Sequence, residues 1–239
     1  MESGQSSSAL PPGTRLDRYT IQSILGAGGF GITYLAEHEL LKKCYAIKEH
    51  FPSQFATRDL TTGHLVPSDL SIYKWALDKF LQEARILTRC SHPNIVRVTD
   101  IIEANKTGYM VLEYEGGQNL ETWLKSLGRR PTQREIDNLL TPLLAALGFI
   151  HSQGLLHRDI APDNILLRDT DRSPCLIDFG AARDQTAERS RASSAVVKTG
   201  YSPPEQYAVG AAQGPWTDIY ALAATLHFAL SGKAPPDEV

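Results

Sequence analysis

His157-Arg158-Asp159-Ile160-Ala161-Pro162-Asp163-Asn164, followed downstream by Asp178-Phe179-Gly180, is the stretch that decides the reading of this chain. It sets two acids and a carboxamide (Asp159, Asn164 and Asp178) at fixed separations in loops between apolar runs. A site that holds metal-bound phosphates and aligns a hydroxyl beside them needs those groups. Asp-Phe-Gly alone recurs by chance; the ordered pair, with the H-R-D-x-x-x-x-N spacing intact, is specific. On this reading Asp159 accepts or orients the proton of an attacking hydroxyl, and Asn164 and Asp178 offer the hard oxygens that Mg²⁺ prefers. His157 reads as a packed core histidine rather than a base. Arg158 could receive a phosphate from elsewhere in the chain. The hydroxyls of Thr186, Ser190, Ser193, Ser194 and Thr199 follow Gly180 in a polar stretch.

Upstream, Gly26, Gly28 and Gly31 form G-x-G-x-x-G, with Gly29 inside it. Without Cβ atoms such a backbone can approach phosphate oxygens. The motif sits between two β-like runs, Ile21 to Leu25 and Ile32 to Leu35. That suits a phosphate-covering hairpin better than a dinucleotide turn, which wants a following helix. Lys48 closes the run Tyr45-Ala46-Ile47-Lys48. Glu83 shares a helix face with Ala76, Phe80 and Leu87, where an unpaired carboxylate is costly, so it wants a cation. Lys48 is the best candidate, and a Lys held by a Glu could contact the α- and β-phosphates of a nucleotide.

The composition fits a chain that buries a core. Of 239 residues, 42% are apolar and 21% charged, and the net charge of −3 argues against general attraction to nucleic acid or membranes. Cys44, Cys90 and Cys175 form no C-x-x-C pair, so they read as small core hydrophobes in a reducing, cytoplasmic compartment. The longest apolar run, Ile219 to Leu230, is too short to span a bilayer and contains His227.

Residues 1–18 are expected to be a disordered tail, Ser-, Gly- and Pro-rich at the start, with ordered structure from about Tyr19. His50 to Pro67 reads as a loop and an insertion, and a helix is predicted over Ser71 to Cys90. Ile95 to Val98 and Tyr109 to Glu113 read as strands. After Gly117 the pattern is helical. Asn119 caps a short helix that stops at Gly128, and Thr132 with Glu135 forms a capping box for a helix reaching Ser152. Pro142 inside that pattern predicts a kink or a late start. The final helix, Thr217 to Leu230, is apolar nearly all round and should be fully buried, with Asp218 capping it.

Together these residues resemble the protein kinase family, in particular eukaryotic-like serine/threonine kinases of bacteria, over about Tyr19 to Ala234. The resemblance implies a bilobal α+β fold. Residues 19–115 would form a β-rich N-lobe with one αC helix and the hinge. Residues 116–239 would form a mostly helical C-lobe, truncated after the αF helix. It implies phosphoryl transfer from ATP to Ser/Thr hydroxyls of protein substrates, with Mg²⁺, or Mn²⁺ in its place, and autophosphorylation in the activation segment. Gly26-Ala27-Gly28-Gly29-Phe30-Gly31 would be the glycine-rich loop, Lys48 the nucleotide lysine, Glu83 its partner, Asp159 the catalytic aspartate, and Asn164 and Asp178 the metal ligands. Leu112 falls at the gatekeeper position, the hinge backbone from Glu113 to Glu115 would meet the adenine, and Ala46 and Leu166 would sandwich it. Pro203-Pro204-Glu205 is similar to the family's A-P-E.

Departures accompany the match. Ala161 stands where the family's Lys touches the γ-phosphate, and Lys198 stands where a Thr is usual, so Lys198 is expected to supply the missing cation. Thr33 replaces an apolar Val over the adenine. The usual cation partner of Glu205 would lie beyond Val239. Two other readings stand beside the kinase: a kinase-shaped nucleotide-binding or scaffold module with little turnover, and a small-molecule phosphotransferase.

Overall fold

Alternation along a handful of strands builds the first part of the chain. The computed structural model describes residues 8–29, 31–179, 197–208 and 210–236. They fall in two units, Met1–Cys90 with Arg97–Tyr114, and Ser91–Val96 with Glu115–Val239. The first unit runs through β1 (Arg15–Leu16), β2 (Tyr19–Ala27), β3 (Gly31–His38) and β4 (Cys44–His50). A hairpin of β5 (Ala56–Arg58) and β6 (Leu65–Pro67) follows, then helix α1 (Leu70–Leu87), β7 (Val98–Ala104) and β8 (Thr107–Glu113). Six of these strands form an antiparallel sheet in the order β1-β2-β3-β4-β8-β7.

The register sorts residues by face. Thr33 pairs with Lys48, Leu35 and Leu112 both pair with Ala46, and Met110 pairs with Lys48, so these side chains share one face. Tyr34, Tyr45, Ile47 and Val111 alternate to the other face and join the buried core. Helix α1 is started by Asp69, whose carboxylate accepts from the N–H of Ser71 (2.8 Å) and Ile72 (3.0 Å). Its buried stripe holds Tyr73, Ala76, Phe80, Glu83 and Leu87, the predicted face. The helix lies on the Lys48 face. A Cβ on Gly108, two residues from Met110, would come within 2.8 Å of Leu81, and the His50 ring meets Tyr73 (5.5 Å) and Phe80 (5.4 Å).

Three expectations fail here. The predicted loop from His50 to Pro67 holds the β5–β6 hairpin, because Arg58 is drawn inward. Its guanidinium meets Glu49 at 2.6 Å, with side-chain exposures of 2% and 0%. The hydroxyls of Tyr34 and Tyr109 donate to the same carboxylate at 2.7 Å each. Burial, with Glu49 adding to it, pushes both phenols up, so they stay donors. Second, residues 8–18, expected as tail, are structured. Leu10 and Leu16 are buried, Arg58 Nε donates to the Ser8 carbonyl, and the Leu10 N–H donates to the Tyr34 hydroxyl. Two well-placed leucines outweigh a polar composition. Third, the strand expected from Ile95 begins at Val98, because Ile95 makes a parallel bridge to Leu176 in the second unit.

The second unit contains β9 (Gly117–Asn119), α2 (Leu120–Leu127), α3 (Gln133–Ser152), β10 (Ile165–Arg168), β11 (Pro174–Leu176) and α4 (Pro215–Ser231). Strands β11-β10-β9 form a small sheet. Asn119 caps α2, which ends at Gly128 with φ 64°, and Thr132 and Glu135 make the capping box that starts α3. With that start fixed, α3 runs on through Pro142 with no late beginning. Helix α4 buries Thr217, Asp218, Ala221, Leu222 and Thr225. It is not fully buried: Trp216, Ile219 and Leu230 are 57%, 45% and 48% exposed. An apolar pattern all round a helix does not say which neighbours cover it. Among the described residues no helix is long and apolar enough to cross a membrane.

Candidate active site

In the second unit the H-R-D segment is held by groups distant in sequence. Asp218, wholly buried at the start of α4, accepts from the backbone N–H of His157 (2.9 Å) and Arg158 (2.7 Å), and lies 2.7 Å from His151 Nε2. The sequence reading gave Asp218 to its own helix as a cap; its carboxylate instead ties down the loop. Gln206 Nε2 donates to the Arg158 carbonyl at 2.8 Å. Glu205 accepts from the Thr217 hydroxyl at 2.8 Å.

The pinned loop stores backbone strain. Seven described non-glycine residues have positive φ. Asp17, Lys42, Asn105, Lys106 and Arg172 sit in turns between paired strands; the other two are Arg158 (66°) and Asp178 (58°). Such conformations cost about 1–3 kcal/mol each and persist where the surroundings enforce them. His157 is wholly buried, as expected. Its Nε2 lies 3.1 Å from the Ile177 carbonyl and its ring 4.6 Å from Phe179. Burial lowers its pKa, while Asp218, Asp159 and Asp178 pull the other way, which places all three carboxylates within electrostatic reach of one imidazole.

Asp159 is 7% exposed and Asn164 8%. The Asn164 carboxamide donates to both the carbonyl and the Oδ2 of Asp159, each at 2.8 Å. Its nitrogen is thereby committed, which turns Oδ1 away from Asp159 as an acceptor. The Ile177 N–H donates to the Asn164 carbonyl at 3.1 Å, tying the loop to the residue before Asp178. Among the described residues no group of three or more His, Cys, Asp and Glu side chains forms a metal cage. Mg²⁺ does not need one, since it takes one or two protein oxygens and completes its shell with phosphate and water. Asn164 and Asp178 fit that donor set. Lys198 forms an ion pair with Asp163, beside Asn164.

In the first unit the glycine motif lies between antiparallel strands β2 and β3. A Cβ on Gly31 would strike the Glu49 carbonyl at 2.6 Å, whereas Gly26, Gly28 and Gly29 have nothing within 4 Å of that position and no positive φ. Packing therefore explains Gly31 and does not explain Gly26, Gly28 or Gly29. Thr33, Ala46, Lys48 and Leu112 share the sheet face over which α1, with Glu83, is laid. The Glu113 N–H already donates to the Arg97 carbonyl at 2.9 Å. In the second unit Glu115 is bound in a fork by Arg168 at 2.9 and 3.0 Å, and Leu166 pairs with Asn119 and Cys175 in the small sheet. Phe30, Gly180, Thr186, Ser190, Ser193 and Ser194 lie outside the described residues. The loop-holding roles of Asp218 and Gln206 and the pairing of Asp163 escaped the sequence reading; a lone acid opening an apolar helix was the available signal for the first.

Residues 19–238 match the model of the protein kinase domain. This chain belongs to the protein kinase family, and its fold is that of a kinase, with a curled β-sheet N-lobe and a helical C-lobe. Among curated relatives, serine/threonine-protein kinase B of Synechocystis sp. is 34% identical over 232 residues, covering 92% of this chain and 38% of its own length. Serine/threonine-protein kinase PknA of Nostoc sp. is 32% identical with the same coverages. The chain thus spans about two fifths of the length of these relatives. Among solved structures, the apo form of PpkA-294 has a TM-score of 0.85 at 38% identity, covering 97% of this chain and 82% of its own. The Mycobacterium tuberculosis PknI kinase domain has a TM-score of 0.72 at 25% identity, covering 96% of this chain and 78% of its own.

Proposed function

We propose that this domain transfers the terminal phosphoryl group of ATP to serine or threonine hydroxyls of proteins, including hydroxyls of its own segment between Gly180 and Pro203. The observation that supports the proposal is the double hydrogen bond from the Asn164 carboxamide to Asp159, which fixes a buried carboxylate beside the carboxamide whose oxygen this reading assigns to the metal. Asp159 orients the incoming hydroxyl and takes its proton, while Asn164 holds Asp159 with one end and offers a metal ligand with the other. Asp178 supplies the second metal oxygen. Mg²⁺, or Mn²⁺ in its place, when bound neutralises charge on the phosphates. Lys48, kept in place by Glu83, contacts the α- and β-phosphates, and Gly26 to Gly31 covers them. Ala46, Leu112 and Leu166 line the adenine, with Thr33 beside them and the Glu113–Glu115 backbone as its polar partner.

The relatives' names support serine/threonine specificity. Free cysteines suit a reducing cytoplasm. The catalytic unit would comprise residues 19–115 and 116–239.

Incubation with labelled ATP and Mg²⁺, with and without a basic protein substrate, tests the reading. The expected outcome is label on substrate and chain, falling on the order of 10³-fold or more in Asp159→Asn while nucleotide binding persists. Label no higher than in that variant, with nucleotide still bound, would leave a scaffold module instead.

A further inference from the structure

The loop from Asp159 to Asn164 contains no Lys or Arg. Its polar side chains are two carboxylates and a carboxamide. A phosphoryl group in flight carries negative charge, and catalysis depends on cations placed where that charge develops. Ala161, wholly buried, ends at Cβ and supplies none.

Among the described residues, Lys198 is a cation that the fold brings to this loop. Its ammonium pairs with Asp163. Its backbone is anchored: the N–H donates to Ser202 Oγ (3.0 Å), and the carbonyl accepts from the N–H of Tyr201 and of Ser202 (2.9 Å each). The side chain therefore extends to Asp163 from an anchored backbone. The pair is open to water, with side-chain exposures of 30% and 42% for Lys198 and Asp163. Exposed pairs contribute little to stability, so a phosphate can displace this carboxylate with little loss.

We propose that Lys198 is a catalytic residue that rests on Asp163 and moves its charge onto the terminal phosphoryl group of ATP. The proposal rests on the phosphoryl-transfer reading above. A lysine that merely ties two segments together would make Lys198 and Asp163 equivalent. A lysine that grips phosphate makes them different, since only its own loss removes the charge.

The test uses the whole chain with Mg²⁺, measuring ATP and ADP affinity by calorimetry and turnover on a basic protein, for wild type, Lys198→Met, Lys198→Arg and Asp163→Asn. Lys198→Met is expected to lower turnover about 10²-fold and to reduce the preference for ATP over ADP about tenfold, the worth of one charge-assisted contact. Lys198→Arg keeps most of that preference, and Asp163→Asn keeps all of it. ADP affinity reports the fold of each variant, and Lys198→Gln replaces Lys198→Met should the latter not bind ADP. Equal losses of turnover in Lys198→Met and Asp163→Asn, with the ATP preference intact in both, would overturn the proposal and leave the kinase reading standing. A wild-type chain that transfers no phosphate would overturn both.

Discussion

His50 is a buried imidazole between the rings of Tyr73 and Phe80, and burial lowers its pKa to about 4. The unfolded imidazole takes its proton near pH 6.5. Between those values the unfolded chain binds more protons than the folded one, so stability falls as the medium is acidified. The stabilisation is whole above about pH 6.5, and on the order of 2 kcal/mol of it is gone at pH 5. Denaturant titrations at pH 7 and pH 5 should show this, and His50→Phe should shrink the difference between the two pH values. An unchanged difference in that variant would refute the assignment. Asp218 makes a sharper case. Replacing it with Ala strands the buried N–H of His157, at about 1–3 kcal/mol, and the part-buried N–H of Arg158. Turnover of Asp218→Ala should fall more than its nucleotide affinity, because the loop around Asp159 loosens; separate binding and rate measurements would tell. Asp159, Asn164 and Asp178 were legible in the sequence because their spacing is local. Asp218 was not, because its partners lie 60 and 61 residues away and only folding brings them to it.

The caps of α2 and α3 were read correctly for the same reason of locality: Asn119, Thr132 and Glu135 each act within three residues of their partners. The β5–β6 hairpin was missed because its determinant is a contact between Arg58 and Glu49 that no periodicity reports. That contact predicts its own cost. Arg58→Ala leaves the wholly buried Glu49 carboxylate with two phenols and no cation, a loss of about 3–5 kcal/mol. Urea unfolding of Arg58→Ala would measure it, and a loss below about 1 kcal/mol would show that the two tyrosines suffice. Since Arg58 also holds the Ser8 carbonyl, residues 8–18 should become protease-sensitive in the same variant. The polar composition of that segment concealed Leu10 and Leu16, and so concealed β1.

At the scale of the molecule, family and fold were readable because the glycine motif, Lys48, Glu83, H-R-D and D-F-G occur in one order along the chain. What covers each surface was not readable, and α4 shows why: Trp216, Ile219 and Leu230 stand exposed on a helix whose sequence promised burial. Exchanging Ile219 and Leu230 for Lys should move stability by no more than about 0.5 kcal/mol per site. Sedimentation should show less self-association in the double variant. A large loss of stability would mean that those side chains are packed after all. The two faces of β4 divide the first unit's labour, with Lys48 turned to one side and Glu49 to the other along a single rigid strand. Whatever grips the lysine therefore damps the strand that the hairpin is bolted to. Deuterium uptake at the amides of Thr57 and Val66 should slow when nucleotide is added, making that small ribbon a distant gauge of occupancy.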